Sequence, residues 1–196
     1  MRFVVFSFPY DQDSGGGIAL LLLCERLREL GHEAYVWPAT TPYSFIPRNW
    51  KDVGKIARRW MYLATGRTFP TGPFSVPIAT RKIVKDAIVV YPEVVTSNPL
   101  RSSKVVRWFL HRPGHHTGTV NYGQDEIYFF YQDAFNDITY NSDLENRLTV
   151  TYLHPAYKDC GNAERSGTCV LIRKGGDRLN DVSLKGDVII DGMSHE

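Results

Sequence analysis

Hydrophobic positions fall in short blocks separated by turn residues, and the first block sets the frame. Arg2 to Phe8, with Val4 and Val5 at its centre, has the length and content of a buried strand. Pro9 to Gly17 reads as a loop ending in Gly15-Gly16-Gly17. From Ile18 to Leu30 the period becomes helical. Leu20, Leu23, Leu27 and Leu30 recur at i, i+3, i+7 and i+10 and mark one face, with Glu25, Arg26, Arg28 and Glu29 at the wet end. Gly31 stands where a left-handed cap belongs, and Ala34 to Trp37 is the next strand. Strand, glycine loop, helix and strand make a βαβ opening whose two strands should run parallel.

Further along, Thr40 to Arg48 reads as a loop and Asn49 to Ala64 as an amphipathic helix weakened by Gly54. Gly66 to Pro77 is rich in proline and glycine. Strands are expected at Ala87 to Tyr91, Val105 to Leu110, Ile127 to Tyr131 and Leu148 to Leu153. Tyr157 to Gly167 has the composition of a linker, and a fresh α/β pattern comes after it. Thr168 to Ile172 and Asp187 to Ile190 are its strands, and Ser194 resembles the N-cap of a helix. The reading is a complete domain over residues 1–160, then a linker and the truncated start of a second α/β domain over 161–196. Two strands without their helix cannot bury a core.

Composition narrows the class. The 196 residues are 43% hydrophobic and 22% charged, which excludes a disordered or collagen-like chain. Three cysteines, an odd number, argue against a disulfide framework. No apolar run approaches the ~18 residues of a membrane span. A net charge of +2 makes a nucleic-acid partner unexpected. The expectation is a cytoplasmic α/β protein. The near-neutral charge is an average over two opposed regions. Six bases lie between Arg48 and Arg67 with Asp52 the one acid, and Trp50, Trp60, Met61 and Tyr62 are interleaved with them. Basic and aromatic residues together suit the anionic inner face of a membrane or an anionic lipid-linked acceptor, and equally an ordinary exposed helix. Asn121 to Glu145 carries six acids, no Lys or Arg, and seven aromatics, half of them expected in the core.

Candidate chemistry lies in the loops. Gly15, Gly16 and Gly17 open a helix, where free backbone N–H groups and the positive helix end favour a phosphate or a sugar hydroxyl. The spacing is neither the dinucleotide G-x-G-x-x-G nor a P-loop, so a structural turn is the competing reading. Asp11 and Asp13 could hold a divalent cation, but a loop pair of acids is the commoner explanation. His111 falls at the carboxyl end of a strand, where open α/β sheets bind ligands and where a histidine can carry a proton. His115 and His116 come after it and rank lower. No His/Cys spacing resembles a zinc site. Arg173 and Lys174 lie in the loop after the first strand of the second region and suit a diphosphate, with a solvated turn the commoner explanation for such a pair. Cys24, Cys160 and Cys169 read as inert thiols.

Taken in order, these residues resemble a known family. The opening strand, the Pro9…Gly15-Gly16 loop, the leucine-rich helix and Gly31-His32-Glu33 resemble the N-terminal half of GT-B glycosyltransferases of the family-4-like kind. Tyr91-Pro92-Glu93, Asn98-Pro99-Leu100 and Val105-Val106-Arg107-Trp108 are similar to a segment of bacterial polysaccharide transferases of that kind. Val170 to Gly175 resembles the first strand and loop of the C-terminal half, and Val188 to Gly192 with Ser194-His195-Glu196 a later strand and helix start of that half. The resemblance implies a Rossmann-like, acceptor-side domain and transfer of a sugar from a nucleotide-sugar donor to a saccharide or lipid-linked acceptor, with retention and no metal or other cofactor. It places Gly15, Gly16 and Gly17 beside donor diphosphate or acceptor. Arg173 and Lys174 fall against the leaving diphosphate, whose growing charge fixed cations stabilise. His111 is a looser match to a residue facing the sugar. The paired-Glu motif of the family's donor half is missing, so the chain by itself is expected to be inactive or very weak. The alternatives are an NAD(P)-type oxidoreductase or epimerase and a non-catalytic module that binds carbohydrate or membrane.

Overall fold

A computed structural model describes residues 1–39, 50, 53, 54, 57, 61, 69–154, 161, 167–170, 188 and 189. The chain divides into two compact units, Met1–Tyr152 and Leu153–Glu196. The first unit is an α/β fold of Rossmann-like type. Its strands are β1 (Arg2–Ser7), β2 (Glu33–Pro38), β3 (Ile88–Pro92), β4 (Val105–Phe109) and β5 (Ile127–Phe130). They form a single sheet in the order β2-β1-β3-β4-β5, every pair parallel.

Helix α1 (Gly15–Glu29) makes the crossover from β1 to β2. It starts earlier than the leucine pattern predicts, because Ser14 is its N-cap and accepts a hydrogen bond from the Gly17 N–H at 3.3 Å. The three glycines are therefore its first turn and not the end of a loop. The helix ends as predicted at Gly31 (φ 81°), where Gly31 N–H donates to Arg28 and His32 N–H to Leu27. Leu30, placed on the buried face by its spacing, is instead 73% exposed. The helix lies on the sheet with its first half, where Ala19 to Cys24 are all buried. Four consecutive leucines span more than one face, and Phe69 and Phe74 of the proline- and glycine-rich segment share their core. Glu25 ties that segment to α1 by accepting from the Ser75 N–H at 3.3 Å.

The two faces of the sheet carry separate cores, as strand alternation demands. Val5, Val36, Val90 and Trp108 join α1 on one face. Val4, Phe6, Trp37, Val89, Tyr91 and Val105 pack on the other with Val84 of the short helix α2 (Arg81–Val84). The strand expected at Leu148 to Leu153 does not form. Only a single bridge, between Phe130 and Arg147, connects this region to β5 as a sheet would. Side chains hold the backbone from Leu148 to Val150: Trp108 Nε1 donates to Leu148 O at 3.0 Å, Tyr131 Oη to Val150 O at 2.9 Å, and Thr149 Oγ1 to Tyr131 O. A matching bridge joins Val36 of β2 to Ile78 at the opposite margin.

In the second unit β6 (Cys169–Val170) and β7 (Val188–Ile189) pair in parallel, within the two strands expected there. Arg173 and Lys174 lie outside the described residues, as does most of the basic segment 48–67. Of that segment Trp50, Val53, Gly54, Ala57 and Met61 are described; they are helical and exposed.

Candidate functional site

A parallel sheet collects the carboxyl ends of its strands along one edge, and the order β2-β1-β3-β4-β5 reverses direction between β1 and β3. In open α/β sheets such a reversal is the usual ligand position. Besides Ala39 after β2, four described segments leave the sheet at this edge. After β1 come Phe8 to Ser14 and the first turn of α1. After β3 comes Glu93, after β4 Leu110 and His111, and after β5 Tyr131 to Phe135.

The glycine turn and the histidine strand end are neighbours. A Cβ built on Gly16 would lie 3.8 Å from the Leu110 side chain, one residue before His111. A Cβ on Gly15 would meet nothing within 4 Å, so Gly15 faces open space. The first N–H groups of a helix have no partner within it. Ser14 takes the one on Gly17, which leaves those of Gly15 and Gly16 without a helical acceptor. The Asp pair of the same loop has a local role: Asp11 Oδ1 accepts from the Asp13 N–H at 2.9 Å and shapes the turn.

Glu93 enters the sequence reading only as the end of Tyr91-Pro92-Glu93, with no role given to it. It is 5% exposed at the end of β3, and its carboxylate accepts from the Leu110 N–H at 3.0 Å and from His111 N–H. Burial pushes its carboxyl from an ordinary 4.5 up to about 7, against the pull of those N–H groups and of Arg107. A carboxyl that far from water is a recognisable mark of a functional edge, but one Glu among many carries no sequence signal.

His111 Nδ1 accepts from the Arg112 N–H at 2.8 Å, and its ring stacks on Phe135 with centroids 5.0 Å apart. The turn after it folds His115 and His116 back onto it, at 4.1 Å and 4.8 Å between ring centroids. The spacing H-x-x-x-H-H resembles no standard metal signature, and that is why the grouping was not visible in the sequence.

Beneath the edge lies a buried ion pair. Arg107 is fully buried in β4 and Glu126 nearly so; Nε donates to Oε2 at 2.8 Å and Nη2 to Oε1 at 2.7 Å. The guanidinium also donates to the carbonyls of Val95 and Ser97, and its carbon lies 5.0 Å from the Tyr91 ring centre and 4.5 Å from that of Tyr122. Glu126 accepts in addition from the Gly123 N–H at 2.8 Å. Every polar atom of the pair is engaged by protein, so the pair fastens loops and offers nothing to a ligand. The Asn98-Pro99-Leu100 motif is likewise structural. Tyr91 Oη donates to Asn98 Oδ1 at 3.0 Å and accepts from the Leu100 N–H at 2.9 Å.

The acidic, aromatic region divides less evenly than expected. Phe130 is buried and Tyr140 exposed, while Tyr122, Tyr128, Phe129, Tyr131 and Phe135 are half-buried. Cys24 is buried and its thiol is pushed up to about 12 by that burial, as an inert core thiol should be.

The fold and this edge define an α/β protein with an open parallel sheet, a glycine-turn helix start and a histidine-lined strand end. No family model, curated protein or solved structure matches the chain. Among the described residues no helix is long and apolar enough to cross a membrane.

Proposed function

We propose that this chain is the acceptor-side part of a GT-B glycosyltransferase, which moves a sugar from a nucleotide-sugar donor to a hydroxyl of a saccharide or lipid-linked acceptor in cell-surface polysaccharide synthesis. The observation that carries the reading is the juxtaposition of Gly16 with Leu110. It brings the helix start that carries Gly15 and Gly16 against Leu110, the residue before His111, one strand from the reversal between β1 and β3. Backbone N–H groups at a helix start suit phosphate or hydroxyl oxygens, and the missing Cβ of Gly15 admits them closely. His111 would hydrogen-bond the acceptor hydroxyl. Arg173 and Lys174 would neutralise the leaving diphosphate, a role that rests on their sequence position. The reaction needs no cofactor in this reading. Its setting is the cytoplasm, at the inner membrane face through residues 48–67.

Titration of the ¹⁵N-labelled chain with uridine- and guanosine-diphosphate sugars and with oligosaccharides tests this. Shifts centred on the amides of Gly15, Gly16 and His111 are expected, and Gly15→Val should suppress them while the rest of the spectrum holds. Shifts produced by NAD(P) instead, or none at these amides from any sugar compound, would overturn it.

A further inference from the structure

We infer that His111, His115 and His116 form a binding site for a late first-row divalent metal ion, with Zn²⁺ as the reference ligand. The ligand nitrogens of the three side chains all lie within 4.8 Å of one another. In a tetrahedral site with Zn–N bonds of ~2.0–2.1 Å, such nitrogens stand about 3.4 Å apart. The needed closure is thus under ~2 Å for any pair at that geometry. His115 and His116 are exposed, so closing that distance does not disturb the core.

The backbone already brings them together. His115 N–H donates to Arg112 O at 3.1 Å and Gly118 N–H to Gly114 O at 2.8 Å. Gly114 and Gly118 hold φ of 78° and 71°, a region that glycine enters without strain. This tight turn reverses the chain directly after β4, so residues four and five positions beyond His111 come back over its ring. Phe135 stacks on His111 and fixes that ring at 5.0 Å. Nδ1 of His111 carries a lone pair, directed at the Arg112 N–H. Metal binding takes over this lone pair, and the N–H of exposed Arg112 turns to water. As the ion enters, the stacked rings of His111 and His115 open.

Three neutral imidazoles select zinc, copper, nickel or iron over magnesium or calcium, which prefer oxygen. Three protein ligands leave a fourth position for a water or for a substrate oxygen. The inference does not rest on the glycosyl-transfer reading, and either can fail alone.

The test is a Zn²⁺ titration of the full chain against a chromophoric chelator, in a Cys160→Ser/Cys169→Ser background that removes competing thiols. One equivalent should bind with micromolar affinity or better. His115→Ala and His116→Ala should each weaken it by at least ~10-fold, since even loss of a group behind a metal ligand costs that much. His154→Ala should leave it unchanged. Circular dichroism checks that each variant keeps its fold. Should a variant unfold, proton spectra of the parent chain with Zn²⁺ decide instead, with the ring signals of these three histidines expected to move together. Binding weaker than millimolar, affinity unaffected by the two substitutions, or shifts centred on other histidines would overturn the site.

Discussion

Glu93 shows what one buried carboxyl does to the pH response of the whole fold. Its folded-state value is raised to about 7 from 4.5 by burial. Folding therefore favours its protonated form. The stability it contributes is complete below the ordinary value and is lost as pH rises through about 7. Glu93→Gln keeps an oxygen for the Leu110 N–H but cannot ionise. Urea unfolding should find this variant more stable than the parent at pH 8, by up to about 3 kcal/mol, and little changed at pH 4.5. Gly15 offers a second residue-scale test. Its Cβ position is open and it lies in the first turn of α1, so Gly15→Ala should raise stability by roughly 0.5–1 kcal/mol. A fall in thermal midpoint would mean that the turn is built differently. Residues of this kind were legible unevenly. His111 and the glycines announced themselves by position, next to a strand end and a helix start. Glu93 depended on how deep the end of β3 lies, and depth is a property of the surrounding chain.

Between elements, the buried pair of Arg107 and Glu126 joins β4 to the loops before and after it. Removing one partner leaves the other charged and away from water, a loss of about 3–5 kcal/mol. Glu126→Ala should show that loss in chemical denaturation, and Arg107→Met with Glu126→Leu should recover much of it. If Glu126→Ala proved neutral, the pair would be solvated in solution. Gly72 gives a second contact between segments. A Cβ there would come within 2.4 Å of the Tyr10 ring, and its φ is 58°. Gly72→Ala must displace the loop after β1, so it should destabilise by more than the ~1–2 kcal/mol that a left-handed backbone costs a non-glycine residue. The periodic code accounts for β1, α1, β2, β3, β4 and β5, because each buries a repeat that can be read locally. It failed at Leu148 to Leu153 for a physical reason. Leu148, Val150 and Tyr152 alternate as a strand does and pack against the core, yet after the one bond from Leu148 N–H to Phe130 O the segment is tied by the Trp108, Tyr131 and Thr149 side chains and not by a ladder. Alternation reports which way side chains point, and says nothing about where backbone groups bond. It also read α1 as one-faced, although Phe69 and Phe74 cover leucines that one face could not hold.

At the scale of the molecule, the central strands should be the last to open. β1 and β3 are paired on both sides and covered on both faces, while β2 and β5 stand at the margins. Hydrogen exchange should therefore be slowest at Val4 to Phe6 and at Val89 to Tyr91, and faster in β5. Equal protection across all five strands would show a unit that opens only as a whole. The opposed charge of residues 48–67 and 121–145 was plain in composition. The site at the sheet edge was not, since it is assembled from the ends of four strands far apart in sequence.

The two bridges at the margins of the sheet have a consequence for how copies of this chain meet. On β2, the Val36 N–H donates to Pro77 O and Val36 O accepts from the Ala79 N–H. On β5, the Phe130 N–H donates to Asn146 O and Phe130 O accepts from the Leu148 N–H. An open parallel sheet normally ends in unpaired backbone groups that can recruit a strand from another molecule. Here a short piece of the same chain occupies β2 at Val36 and β5 at its last residue, Phe130. Edge-to-edge growth of the five-stranded sheet is obstructed at these two points, so crowding this protein should not readily zip such sheets together.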